Sequence, residues 1–327
     1  MTADCATPET PREAAPTPRL LFTDLDGSLL DHHHYGWEPA RPWLARLKAL
    51  GVPVIPVTCK TCSEIVPLRH ELGLTESPFI AENGAVVGLP PAWCHARLDR
   101  GAGPDGLAIR TLGVDIGLIR QRLSVWRQRL GVRFTIMSEM PLAELVAFTG
   151  LEEAEVRQAR MREGSEPLIW EDDEARLDAL RRGLAGDGLC LVRGGRFWHV
   201  TGESHKGGAV AWLVSRFTAL RGRRPLTLAL GDGPNDRVML ETVDQAVLIR
   251  GCHGLAVEPQ QPALYRSEAT GPAGWAEGVA HWWGRADRRL RPAARGEVVI
   301  GPSSGGTARC PTSSTWTATA IRAPASS

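Results

Sequence analysis

Two periods of hydrophobicity alternate along the first ninety residues. Residues 20–24 form a short apolar run that ends on an acid, the pattern of a buried strand. Over residues 38–50, Leu44, Leu47 and Leu50 recur at helical spacing, and Gly51 stands where a helix stops. Residues 52–58, "VPVIPVT", read as a second strand whose two prolines limit regular ladder bonding. Residues 63–72 read as a helix, and "PFIAENGAVV" as a strand followed by a turn at Asn83-Gly84. Strand–helix–strand alternation of this kind implies an α/β fold with a parallel sheet covered by helices. Ligands of such sheets sit beyond the carboxyl ends of the strands, which is where Asp24, Asp26 and Thr58 fall.

The pattern weakens between residues 88 and 106, where prolines and glycines gather. Amphipathic segments follow near 116–130 and 151–162, with strand-like "EPLIWE" and "RFWHVTG". Residues 207–220 are again helical. "LTLALGD", 226–232, is a buried strand ending in an acid, and "AVLIRG", 246–251, is the next. The expected organisation is therefore one sheet domain over 19–88 and 203–287, interrupted by an inserted second domain over 89–202. Residues 1–18 are Pro/Thr-rich and lack an apolar signal core, so a disordered leader is expected. Residues 288–327 are small, polar and aperiodic, the composition of a disordered tail.

Composition narrows the function classes. Hydrophobic residues make up 43% and charged residues 23% of the 327 positions, the balance of a soluble globular protein. A net charge of +1 gives no electrostatic case for a nucleic-acid or anionic-membrane partner. No apolar run reaches the ~18–20 residues of a membrane span. The seven cysteines are odd in number and scattered, which argues for a reducing compartment and a cytoplasmic location. Cys59-x-x-Cys62 has no second Cys/His pair at zinc-site spacing, so neither a metal nor a redox role is expected of it. His32-His33-His34 are consecutive, their side chains do not converge, and a loop is the expectation. Trp126, Trp212, Trp282 and Trp283 lie in helical segments and are expected to pack.

Four features carry chemistry when taken together: Asp24-x-Asp26-Gly27-Ser28 at a strand end, Thr58 followed by Lys60, Lys206 before a glycine-opened helix, and "GDGPND" with Asp232 and Asp236. Carboxylates converging with hydroxyl and ammonium groups make a hard-oxygen site suited to Mg²⁺ and a substrate phosphate. A cation also offsets the repulsion among the acids. A carboxylate one residue beyond a nucleophilic one can serve the leaving group, which fits covalent catalysis through an aspartyl-phosphate.

In this order the four features resemble the motifs of haloacid dehalogenase-type phosphatases. "VTCKT", "ENGAVV", "MREGSEPLIW", "GGRFWHV" and "HKGGAV" resemble the mannosyl-3-phosphoglycerate phosphatases among them, and the similarity spans residues 20–283. Cys59 departs from it, standing where a small residue such as serine is usual. The resemblance implies a Rossmann-like parallel-sheet core with an inserted α/β cap that closes over the site. It implies Asp24 as nucleophile, Asp26 as acid and base, and Thr58 and Lys206 on the phosphoryl oxygens. The metal would be held by Asp24, the carbonyl of Asp26 and Asp232, with Asp236 supporting it through water or Lys206. Asn235 would bind phosphate or orient Asp232. For the substrate, Arg196 and the Gly194-Gly195 backbone are candidates for a carboxylate, Lys60, Glu82 and Asn83 for the mouth, and Ser165 and Glu166 for the sugar. The implied activity is Mg²⁺-dependent hydrolysis of mannosyl-3-phosphoglycerate, a small phosphorylated glycoside, to the compatible solute mannosylglycerate. A phosphatase for glucosyl-3-phosphoglycerate or sucrose phosphate, a phosphomutase, and a non-catalytic binding module stay open.

Overall fold

The apolar runs that end in acids become neighbouring strands. The computed structural model describes residues 16–95, 97–99, 103–193, 197–251, 254–255 and 257–284. The expected leader up to residue 15, the tail from 285, and Gly194-Gly195-Arg196 lie outside the described residues.

The chain opens with β1 (Arg19–Thr23), α1 (Arg41–Ala49), β2 (Val54–Pro56) and α2 (Cys62–Glu71). α1 is shorter than the periodicity predicts, because residues 38–40 form a single 3₁₀ turn ahead of it. β2 is less than half the expected length. Pro53 and Pro56 have no N–H to give, and Pro53 joins β1 only through its carbonyl, which accepts from Leu21 N at 3.0 Å. α2 begins one residue early because Thr61 caps it, with Glu64 completing a reciprocal capping box. β3 (Phe79–Ala81), β4 (Val86–Leu89) and β5 (Ala108–Thr111) form a small antiparallel sheet, so the strand at 108–111 stays hydrogen-bonded to those before it.

Next come α3 (Ile116–Leu130), β6 (Phe134–Ile136), α4 (Leu142–Thr149), α5 (Glu153–Ala159), β7 (Ser165–Trp170), α6 (Glu174–Gly186), β8 (Leu189–Arg193) and β9 (Trp198–Gly202). Their strands make an antiparallel sheet in the order β6-β7-β9-β8. Leu168, Leu191 and Val200 on one face pack with Ile119 and Leu123 of α3 and Leu177, Leu180 and Leu184 of α6. A smaller cluster of Met137, Met140, Leu145, Val156 and Phe197 belongs to α4, α5 and the loops beside them.

The last segment holds α7 (Lys206–Arg221), β10 (Leu226–Gly231), α8 (Arg237–Thr242), β11 (Gln245–Arg250), β12 (Leu264–Thr270) and α9 (Gly271–Trp283). The main sheet is parallel throughout, in the order β12-β11-β10-β1-β2. Leu21, Val54, Leu228 and Val247 point to one face, beside α1 and α9, while Leu20, Phe22, Ile55 and Leu248 point to the other, against α7 and α8. Burial on both faces explains the unbroken apolar runs of β1, β10 and β11. Trp283 is buried and Trp126, Trp212 and Trp282 pack against the cores, as the helical periodicity implies. Among the described residues no helix is long and apolar enough to cross a membrane.

The chain enters the four-stranded half after β5, near 112–115, and leaves it ahead of α7, near 203–205. Leu112 N and Gly113 N both donate to the carbonyl of Ala85, at 2.7 and 3.2 Å. Gly202 lies against Gly113, since a β-carbon placed on it would be 3.5 Å from the Gly113 α-carbon.

Candidate active site

β1 and β10 lie side by side, so the acids that follow them meet. Asp24 N donates to the carbonyl of Leu230 at 2.9 Å, which extends the β1–β10 pairing by one residue. The Asp24 carbonyl accepts from Thr23 Oγ1 at 2.6 Å, and that hydroxyl accepts from the buried indole Nε1 of Trp275 at 2.9 Å. Beyond Asp24 the chain folds into a tight loop, with Leu30 N donating to Leu25 O at 2.8 Å and Gly27 N to Leu30 O at 2.9 Å. Gly27 has φ +82°, and a β-carbon there would sit 2.6 Å from Asp232 Oδ2. Only glycine fits where this loop passes the second acid.

Lys206, the first residue of α7, is 1% exposed. His205 caps the helix, its Nδ1 accepting from Gly208 N at 3.0 Å. The Lys206 ammonium donates to Asp24 Oδ1 at 2.5 Å and to Asp236 Oδ1 at 2.7 Å. Asp236 Oδ2 accepts from Asp232 N at 3.1 Å and Gly233 N at 2.9 Å, so both its oxygens are engaged. Asp232 Oδ1 accepts from Ser28 Oγ at 3.3 Å. Carboxylate oxygens of Asp24, Asp232 and Asp236 lie within 4.8 Å of one another.

Electrostatics record the crowding. Burial, then the nearby Asp236 charge, hold the Asp24 carboxyl well above its ordinary range, and Lys206 only partly opposes them. Asp232 is raised to about 6 by burial and then by Asp236. Burial pushes the Lys206 ammonium down, but Asp236 and Asp24 outweigh it and hold the proton on. One buried ammonium thus faces three acids, and the surplus negative charge stands on oxygen donors that suit a hard divalent cation. A carboxylate oxygen of Asp24 and Oδ2 of Asp232 could hold such an ion, whereas both oxygens of Asp236 are engaged by Lys206 and by the Asp232 and Gly233 amides.

The loop after β2 closes the other side. Thr58 is buried, its N–H donating to Ile80 O at 2.9 Å and its Oγ1 accepting from Lys60 N at 3.1 Å. Lys60 Nζ lies 3.2 Å from Asp26 Oδ2 and 5.4 Å from the centre of the Tyr35 ring. Burial works against the Lys60 charge, but Asp26 and Glu64 prevail and raise it. Asp26 Oδ1 is buried without a partner in the protein. The turn that carries Glu82 and Asn83 is stitched to this loop, Asn83 N donating to Thr58 O and Glu82 N to Lys60 O, each at 2.9 Å.

The remaining predicted substrate residues divide. Asn83 Oδ1 accepts from Asn235 Nδ2 at 3.2 Å, which joins two of them at the rim. Glu82 is buried and points to β7. Its carboxylate accepts from Glu163 N at 2.8 Å, Gly164 N at 3.2 Å and Ser165 Oγ at 2.6 Å. Glu166 turns to the α3 side, bonded to Arg120 Nε at 2.6 Å and Ser138 N at 3.0 Å. Sequence reasoning passed over Arg162 and His199, although both stand inside the stretches "MREGSEPLIW" and "GGRFWHV". Cys59 and Cys62 are both free, and burial raises each thiol above its ordinary range, which disfavours the thiolate that redox chemistry needs. His32 to His34 form the expected loop, the His33 and His34 amides donating to Asp31 Oδ1 at 2.9 and 3.1 Å.

Comparison with known proteins agrees with this geometry. Residues 21–93 match the family described as haloacid dehalogenase-like hydrolase. The structure of protein 0175 from Thermoplasma acidophilum superposes with a TM-score of 0.57 at 17% identity, over 81% of this chain and 98% of that one. BT1666 from Bacteroides thetaiotaomicron, described among phosphatases of the haloalkanoate superfamily, gives 0.56 at 17% identity over 84% and 98%. BT4131, described as a subclass IIB sugar phosphatase, gives 0.54 at 15% identity over 80% and 98%. At these identities the likeness is one of fold, and the α/β core with its accompanying antiparallel sheets is that of the haloacid dehalogenase-like hydrolases.

Proposed function

We propose that this protein is a Mg²⁺-dependent phosphatase acting through an aspartyl-phosphate, and that its substrate is mannosyl-3-phosphoglycerate. The observation that carries the reading is the buried Lys206 ammonium bonded to Asp24 and Asp236, with Asp232 alongside. The sequence stretches that resemble those of the mannosyl-3-phosphoglycerate phosphatases support the substrate, and the description of BT4131 supports the broader sugar-phosphate class. In this reading the cap is the four-stranded half, residues 112–205, rather than all of the expected 89–202, because β5 stays hydrogen-bonded to β4.

Lys206 fixes Asp24 Oδ1 and thereby presents Oδ2 to phosphorus. That oxygen forms a bond to phosphorus as the bond to the glycerate oxygen breaks. Asp26, held by Lys60 through Oδ2, gives its proton from Oδ1 to the departing oxygen. Water then attacks phosphorus, Asp26 takes back a proton, and the Asp24–phosphorus bond breaks to release phosphate. Thr58 Oγ1 donates to a phosphoryl oxygen, and Lys206 balances charge on the phospho-aspartate. Asp24, the carbonyl of Asp26 and Asp232 would hold Mg²⁺, which when bound neutralises charge on the transferring phosphoryl group.

Phosphate release from mannosyl- and glucosyl-3-phosphoglycerate, sucrose phosphate, mannose phosphate and 3-phosphoglycerate, each with Mg²⁺ and with excess EDTA, tests the proposal. Metal-dependent release confined to the glycosyl-phosphoglycerates is the expected result. Release spread over simple sugar phosphates would discard the substrate and keep the chemistry. None from any ester would discard both.

A further inference from the structure

Two side chains beside the site carry buried polar atoms that nothing in the protein satisfies, and the mechanism uses neither. Arg162, just ahead of β7, has a side chain only 8% exposed. Its Nη1 donates to Ser165 Oγ at 2.8 Å and lies 3.8 Å from Glu82 Oε2, while Nη2 reaches the carbonyl of Cys59 at 3.5 Å. Its Nε has no partner. His199, on β9, has a buried Nδ1 that is likewise unpartnered. Its strand neighbour Val200 packs toward α3 and α6, so alternation turns His199 to the opposite face of the sheet. Arg162 is near enough that its charge, after burial, holds the imidazole down to about 3. His199 is therefore neutral in working buffers and adds no second positive charge.

Unpaired buried polar atoms are rare and call for a reason. Arg69 and Arg127 also have buried, unbonded Nε atoms, but their guanidinium groups lie over Phe79 and Phe134, at 5.1 and 4.3 Å. Among the described residues no ring serves Arg162 in that way. Its reach to Cys59 instead puts it over the loop between Thr58 and Lys60, at the edge of the phosphoryl site.

We propose that Arg162 and His199 form a subsite for the carboxylate of a phosphorylated hydroxy-acid, so that this enzyme selects esters whose leaving group is itself an anion. Arg162 Nε donates to one carboxylate oxygen. The His199 imidazole, with its hydrogen on Nδ1, donates to the other oxygen or to a neighbouring hydroxyl. The inference rests on the phosphatase reading above and names the chemistry its substrate must carry.

The test compares kcat/KM for a glycosyl-3-phosphoglycerate with that for the glycosyl-glycerol phosphate in which a hydroxymethyl group replaces the carboxylate. The ratio does not depend on the fraction of protein folded, so a destabilised variant still reports. Wild-type enzyme is expected to favour the acid. Arg162→Gln should reduce the ratio about 10- to 100-fold, the worth of a hydrogen bond to a charged group. Arg162→Lys should restore part of it, and His199→Phe should lower it less. Equal preference for both esters in the wild type, or a ratio unmoved by Arg162→Gln and His199→Phe, would overturn the subsite. The wild type is also assayed with p-nitrophenyl phosphate. Turnover of that ester alongside an unmoved ratio leaves the phosphatase reading standing, whereas no turnover of any ester overturns both.

Discussion

At the residue scale, the acids of the site repel one another more than Lys206 compensates. Asp24→Asn removes the nucleophile and one of the crowded charges together. It should lower turnover at least about a thousandfold, while thermal unfolding in EDTA occurs at the same temperature or higher; appreciable activity would sink the covalent mechanism. Asp232, raised to about 6, binds a proton in the folded protein that it has lost in the unfolded chain between its ordinary value and that point. The folded state thus holds more protons in this window, and metal-free stability from this group falls as pH rises through it. A cation needs the ionised carboxylate, so the rise in Tm on adding Mg²⁺ should be small at pH 5 and larger at pH 7.5. An equal rise at both values would argue against Asp232 as a ligand. Asp24, Asp26 and Asp232 were legible in the sequence because each ends an apolar run. The resemblance left Asp236 to act through water or through Lys206, and spacing alone does not choose, since the Lys206 contacts span 182 positions to Asp24 and 30 to Asp236.

At the element scale, Gly27 sits where the loop after β1 brushes Asp232. Gly27→Ala asks a side chain to adopt φ +82° with its β-carbon 2.6 Å from a carboxylate oxygen. The expected cost to stability is about 1–2 kcal/mol, with a larger loss of turnover because Asp232 must move; paired denaturation and kinetic measurements separate the two. The parallel strands were legible because burial on both faces writes a continuous apolar word. β12 was not, since of its seven residues only Ser267 is buried and an edge strand needs little more. α6 also has a trace in the sequence: Leu177, Leu180 and Leu184 fall on one face, and Asp173 caps it by accepting from Arg176 N at 2.8 Å. The prolines of β2 signalled a weakened ladder, and the structure turns that into a strand of three residues.

At the scale of the whole molecule, Glu82 ties the two halves together. Its carboxylate accepts two amides and a hydroxyl from residues 163–165, and Arg162 stands 3.8 Å away. Glu82→Gln replaces an acceptor-only group by one that must present a donor to donors. It should cost about 1–3 kcal/mol and speed hydrogen exchange at the amides of Glu163 and Gly164; unchanged exchange there would show that the halves are held by other contacts. No period or composition could announce this link, because its partners stand more than eighty positions apart.

The close approach of Gly113 and Gly202 has a topological consequence. A detour that leaves and returns through one doorway can be cut away without re-threading anything, and this one begins and ends within a residue's breadth. Joining position 113 to 202 through one or two glycines, with Glu82→Gln to relieve the abandoned carboxylate, leaves the strand order β12-β11-β10-β1-β2 untouched. The shortened chain should still fold, and it should cleave small aryl phosphates while losing its choice among larger esters. Chemistry and selectivity would then be separable parts, held in one polypeptide by a hinge no wider than a pair of glycines.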